Sequence, residues 1–106
     1  MIAMKIFEQL KTFDTKLTLS KFSTDYLGKS RNYIFVKKHR DEDISNDALL
    51  YLYGTLRATQ KIYTQILQDM NCREFTNNYY RRCSERNKEL IQAVWNELDE
   101  RSELVS

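Results

Sequence analysis

Residues 22–33 read FSTDYLGKSRNY, and this stretch decides how the whole chain is interpreted. Its first half ends on the apolar Leu27, and Gly28 follows immediately. A helix often ends with a glycine just past its last residue, because the left-handed backbone found there costs other residues energy. Ser30 is a good N-cap for a second helix that begins at Arg31. The stretch therefore predicts two short helices joined by about three residues, which is the outline of a helix-turn-helix.

Upstream and downstream of the turn, apolar residues follow helical spacing. Steps of three and four residues over 2–13 predict a first amphipathic helix. Thr18 is a suitable N-cap for the second helix, which carries the first half of the quoted stretch. The third helix covers 31–39 and has a polar, basic surface.

The second half of the chain is dominated by long helical patterns. Ser45 can cap a fourth helix whose apolar positions continue to residue 70. This pattern fits either one helix or two helices that meet near Gly54, because a mid-helix glycine does not force a break. A turn at 71–72 and a last helix over 73–101 complete the chain.

The composition favours an all-α fold. The chain has 106 residues, no proline and two glycines, whereas a β-sandwich or barrel needs a turn about every 8–12 residues. The length fits one domain over 1–106. Within it we distinguish a helix-turn-helix unit (2–56) and a long-helix extension (57–101).

Several functional classes are not expected. No apolar run approaches the roughly 18–20 residues that span a bilayer, and the N-terminus does not read as a signal peptide. Cys72 and Cys83 lack zinc-site spacing and His39 is the single histidine, so we expect no metal, no cofactor and a cytoplasmic protein with reduced thiols. No nucleophile–base pair or glycine-rich phosphate loop is present, so we do not expect an enzyme.

The charges of the chain are unevenly distributed. Residues 16–40 carry seven basic side chains and one acidic side chain, although the formal net charge of the whole chain is only +2. The positive charge thus coincides with the predicted helix-turn-helix. This coincidence is typical of a surface that binds a polyanion.

The same segment carries a sequence pattern, roughly Phe-Ser-x-x-aromatic-Leu-Gly-x-Ser-x-x-Tyr. Its matching positions are Phe22, Ser23, Tyr26, Leu27, Gly28, Ser30 and Tyr33, and beyond the loop Ser45, Ala48, Leu49 and Leu52 continue it. With this pattern the chain resembles the phage-repressor-like helix-turn-helix superfamily of lambda repressor and Cro, and most closely small uncharacterised bacterial and phage proteins of that type. The resemblance covers 2–56 and implies a DNA-binding transcriptional regulator. Thr24 and Lys37 depart from it, standing where a small and an apolar residue are usual.

A recognition helix places polar side chains at its start to reach base edges in the major groove, while nearby cations bind phosphates. On this basis we predict a DNA-binding set of Lys21, Lys29, Ser30, Arg31, Asn32, Lys37, Lys38 and Arg40. Arg31 and Asn32 suit guanine and adenine, respectively. The alternative is that both are simply the exposed polar start of a helix.

The two long helices can fold back on each other or pack against a second copy. We predict a homodimer, in which Asn87 fixes the register between helices; the alternative is an intramolecular core with Asn87 at its edge. The alternative function is a small helical protein-interaction module without DNA binding, such as a phage-encoded inhibitor of a host protein. RNA binding is a weaker third hypothesis.

Overall fold

The computed structural model describes residues 1–69 and 74–103, and these residues form helices without any strand. The helices are α1 (Ile2–Phe13), α2 (Leu19–Lys21), α3 (Tyr33–His39), α4 (Asn46–Asp69) and α5 (Glu74–Glu103). Helix α2 continues into one π-helical turn, Phe22–Tyr26. The predicted all-α fold is confirmed. In the described ranges, no helix is long and apolar enough to cross a membrane.

Helix α1 has the predicted bounds. Its buried side chains, Ala3, Ile6, Phe7 and Leu10, recur at three- and four-residue steps and form one face that packs into the core. The helix ends where the backbone of Asp14 leaves the helical region, and the Asp14 amide still bonds to the Leu10 carbonyl at 3.0 Å.

Helices α4 and α5 form an antiparallel hairpin; α1 contacts α5, and the π-helical turn and the bend at Gly28 contact α4. The apolar seam of the hairpin includes Leu52 and Leu56 on α4 and Leu90 and Val94 on α5. Helix α4 runs without a break through Gly54, so the two-helix alternative is wrong. The division predicted between 56 and 57 falls within this helix. The turn predicted at 71–72 lies outside the described residues.

Asn87 is buried within the hairpin rather than presented to a second copy. Its amide nitrogen donates to the Leu56 carbonyl at 2.9 Å and to the Gln60 side-chain oxygen at 3.0 Å. Gln60 in turn donates to the Ser84 hydroxyl at 2.7 Å. These bonds join α4 to α5 of the same chain, as the intramolecular alternative requires. They leave Asn87 no role in the register of a dimer, and the homodimer itself stays a prediction.

Candidate nucleic-acid interface

The bend between α2 and α3 is built by the backbone around Gly28. Thr18 caps α2 as predicted, and its hydroxyl accepts from the Lys21 amide at 3.2 Å. Gly28 has a φ of +64°, in the left-handed region that favours glycine. A Cβ on Gly28 would also lie 2.7 Å from the ring of Tyr51 on α4. The bend is therefore pressed against α4.

Helix α3 is held from both sides by hydroxyl groups. The Ser23 hydroxyl is fully buried and accepts from the Ile34 amide at 3.2 Å. The Tyr33 hydroxyl accepts from the Ser45 amide at 2.9 Å and lies 3.0 Å from the Ser45 hydroxyl. Ser45 itself accepts from the Ala48 amide at 3.4 Å, at the start of α4. The α2–α3 unit is thus anchored to α4 through Tyr33.

The predicted start of α3 at Arg31, with Ser30 as its N-cap, is wrong. The helix begins at Tyr33, and Asn32 is the capping residue without a side-chain bond. The amide of Tyr33 bonds to the Ser30 carbonyl at 3.1 Å, so residues 30–33 form a turn. The physical reason is that Ser23 on the preceding segment supplies the hydroxyl acceptor for the first turn of α3. A local N-cap serine is therefore not needed.

Two of the predicted DNA-binding lysines are paired with carboxylates of the chain. Lys29 forms an ion pair with Asp47, and Lys37 lies 3.3 Å from Glu42. Both ammonium groups also lie over the Tyr33 ring, at 5.8 and 5.7 Å from its centroid. The hydrogen bond from Lys29 lowers the pKa of Asp47 to about 2 and raises the pKa of Lys29 itself. These two lysines therefore pack against the Tyr33 ring, and the carboxylates of Asp47 and Glu42 compensate their charges.

Other members of the predicted set come together on the surface. Lys21 and Arg31 line one shallow hollow with three hydroxyl-bearing residues, Thr18, Ser20 and Thr24. Lys38 is exposed on α3 itself, whereas Arg31 lies in the turn just before this helix. Among residues 1–69 and 74–103, no side chain forms an ion pair or hydrogen bond with the side chains of Lys21, Arg31 or Lys38. We call Lys21, Arg31 and Lys38 the cationic flank.

The face of α3 that points away from the core combines polar and apolar groups. Asn32, Phe35, Val36 and His39 are exposed along it, and Phe35 and Val36 are 44% and 43% exposed. Sequence reasoning did not include Phe35 or Val36 in the predicted contact set. With Ile34 buried and Tyr33 and Lys37 partly buried, a helical turn of about 100° per residue leaves 35 and 36 outside. The positions of residues 35 and 36 relative to Ile34 were thus the sequence signal that could have predicted their exposure. We call these four residues the outer ridge.

The remaining predicted residues, Ser30 and Arg40, are exposed at the two ends of this region. Within the part of the chain that the structure describes, no three His, Cys, Asp or Glu side chains gather as metal ligands would. Cys83 is a buried free thiol, and Cys72 lies outside the described residues.

A family model for a family of unknown function, DUF6626, matches residues 4–104, which is nearly the whole chain. The chain belongs to the DUF6626 family. Neither a curated protein nor a solved structure matches this DUF6626 chain. The match spans α1 to α5, so the family is defined over the hairpin as well as over the α2–α3 unit.

Proposed function

We propose that the α2–α3 unit is a helix-turn-helix that binds double-stranded DNA, and that the chain is a small bacterial or phage regulator of transcription. The observation that carries this proposal is the cationic flank beside the outer ridge. Arg31, in the turn before α3, lines one hollow with Lys21 of α2, and Lys38 is exposed on α3. In such an arrangement the ridge enters the major groove while the flank binds phosphates.

Ion pairs within the chain lead us to propose a smaller set of DNA-contacting residues. Lys29 and Lys37 already pair with acids, so displacing either from its carboxylate would cost part of the energy gained at a phosphate. Lys21, Arg31, Lys38 and Arg40 have no such competitor among the described residues. The proposal therefore assigns affinity to these four cations. It assigns base contact to the ridge, beginning with Asn32, whose amide suits adenine.

Titration of a fluorescent mixed-sequence duplex at two salt concentrations tests the proposal. We expect binding that weakens steeply with salt, because each neutralised phosphate releases counterions. The double variant Arg31→Ala with Lys38→Ala should bind more weakly, and its log–log salt slope should fall by about two. The matched control is Lys61→Ala with Lys88→Ala, which removes two exposed cations of the long helices and has the same net charge.

The second candidate function is a protein-interaction module, and the exposed Phe35 and Val36 favour it. Two neighbouring apolar side chains on one short helix are a plausible anchor for a protein partner. The titration separates the two candidates. If the wild-type chain binds no duplex even at low salt, the DNA proposal fails and the interaction module becomes the better explanation of this surface.

A further inference from the structure

The outer ridge places an apolar group where a recognition helix ordinarily offers hydrogen-bonding groups. Phe35 is 44% exposed and Val36 is 43% exposed, although both sit between cationic and polar neighbours. No described ring stacks on Phe35, and no described cation lies over it. Among the described residues, Phe35 therefore has no aromatic or cationic partner, and much of its ring is exposed to solvent.

In a DNA major groove, the one apolar group on a base edge is the 5-methyl of thymine. Phenylalanine and other apolar side chains contact that methyl group. Cytosine presents an amino donor in the major groove and carries no methyl group. An exposed aromatic ring at the centre of a groove-reading helix thus has a specific counterpart in the groove. It gains nothing from guanine or cytosine edges, which present acceptors and donors.

We infer that Phe35 reads a thymine methyl and that, together with Asn32, it makes α3 selective for A·T base pairs. This inference rests on the proposed DNA-binding function. Three residues of helix separate Asn32 from Phe35, which is about 4.5 Å along the axis. One base-pair step is about 3.4 Å, so the two side chains reach the same pair or adjacent pairs. Asn32 accepts and donates to adenine, and Phe35 covers the methyl of a neighbouring thymine.

The orientation of the ridge agrees with this assignment. Ile34, the residue before Phe35, is fully buried and its amide is bonded to Ser23, so the helix cannot rotate to hide the Phe35 ring. Lys38 follows Phe35 by three residues on α3 and is therefore its neighbour on the helix surface, where it can hold a phosphate strand while the ring faces the base edges. The exposed position of Phe35 and the positive charge near it therefore favour contact with a thymine methyl group over a role in the protein core.

Thymine and uracil differ only by the methyl group, which gives a direct test. The full-length chain is titrated at one salt concentration against three alternating duplexes: dA-dT, dA-dU and dG-dC. We expect dA-dT to bind about fourfold tighter than dA-dU for each methyl covered, from the transfer energy of one methyl group. Replacing cytosine by 5-methylcytosine in the dG-dC duplex should restore part of the affinity that dG-dC lacks.

The variant Phe35→Ala should bind dA-dT and dA-dU equally, while Phe35→Leu should keep part of the preference. Ile62→Ala, which removes another exposed apolar side chain on α4, serves as the matched control and should keep the full preference. Circular dichroism melting shows whether each variant is folded.

The outcomes separate the two proposals. Equal binding of dA-dT and dA-dU by the wild-type chain overturns the methyl reading but leaves DNA binding intact. A preference that survives in Phe35→Ala overturns the assignment to Phe35. Absence of binding to all three duplexes at low salt overturns the proposed function and this inference with it.

Discussion

Gly28 and Gly54 are the two glycines of the chain, and they have opposite structural meanings. Gly28 adopts a left-handed conformation and its Cα hydrogens face the Tyr51 ring, so both backbone and space require glycine. Gly54 lies on the exposed side of α4, where a Cβ would meet nothing within 4 Å. At Gly28 the residue enables the bend, whereas at Gly54 it only weakens a helix.

The two glycines should therefore respond to alanine in opposite directions. Gly54→Ala should raise the free energy of unfolding by about 1 kcal/mol, because alanine restricts the unfolded chain and favours helix. Gly28→Ala should lower it by about 1–3 kcal/mol, from left-handed strain plus the clash with Tyr51. Urea unfolding followed by circular dichroism measures both. Two variants that shift stability in the same direction would contradict this account of the bend.

At the residue scale, the sequence of residues 22–33 predicts part of the local structure but not every role of its side chains. The left-handed Gly28 follows from the position of a glycine directly behind the apolar Leu27 at a predicted helix end, and Phe22 and Leu27 are buried. The role of Ser23 as the acceptor for α3 could not be read locally, because the Ile34 amide is eleven residues away. For the same reason, the start of α3 was predicted at Arg31 and not at Tyr33, where the helix begins.

At the scale of elements, Arg101 on α5 clasps the loop between α3 and α4. Its guanidinium donates to the Ile44 carbonyl at 2.8 Å and to the Asn46 side chain at 2.9 Å. It also bonds to Glu97 at 3.2 Å and lies 3.7 Å from Asp43. The Asp43 carboxylate accepts from the Ile2 amide at 3.1 Å, so the loop is tied to the start of α1 as well. Arg101 thus connects α5 to the loop between α3 and α4 and, through Asp43, to the start of α1.

Removing this clasp should cost stability in the whole chain. The Arg101 side chain is only 20% exposed, so Arg101→Ala leaves the Ile44 carbonyl, the Asn46 side-chain oxygen and the Glu97 carboxylate without this donor. We expect a loss of about 2 kcal/mol in the free energy of unfolding, typical of hydrogen bonds that involve charged groups. Arg57→Ala, which removes an exposed guanidinium 5.7 Å from the Tyr53 ring centroid, should cost less than about 1 kcal/mol. Equal losses for the two variants, measured by urea unfolding, would show that the clasp adds no more than a surface contact.

Element boundaries were predictable where one face carries the periodicity. The bounds of α1 follow from its buried face, whereas the apolar steps that continue past Gly54 left open whether α4 is one helix or two. The clasp was not predictable, because Arg101 and Ile44 are separated by 57 residues. A charged residue near a helix end gives no sign in the sequence of which distant loop it will hold.

At the scale of the whole molecule, the charge imbalance of the sequence is partly compensated by folding. The basic segment 16–40 meets acids from the following loop and from α4, since Lys37 pairs with Glu42 and Lys29 with Asp47. Counting charges along the chain therefore overestimates the free positive surface. What survives includes the cationic flank, in which Lys21 and Arg31 share one hollow and Lys38 is exposed on α3.

The folded chain also retains a tyrosine proton that the unfolded chain releases. Tyr63 lines a hollow with Leu10, Phe13 and Cys83, and burial, followed by the nearby Cys83, raises the pKa of Tyr63 to about 12. An unfolded tyrosine titrates near 10. Between pH 10 and 12 the unfolded state therefore loses a proton that the folded state keeps, and the free energy of unfolding should fall as the pH rises through this window.

The variant Tyr63→Phe isolates this contribution, because it removes the titrating hydroxyl and keeps the ring. Urea unfolding between about pH 9 and about pH 11 should show a shallower decline of stability for Tyr63→Phe than for the wild-type chain. Tyr51→Phe, which removes an exposed hydroxyl, should follow the wild-type decline. Tyrosinate absorbance of the folded chain provides an independent check. The hydroxyl group that Tyr63→Phe removes should be among the last tyrosine hydroxyls to lose a proton as the pH rises. Parallel declines for all three proteins would mean that Tyr63 is solvated in the folded state and that the hollow between α1 and the hairpin is open to water.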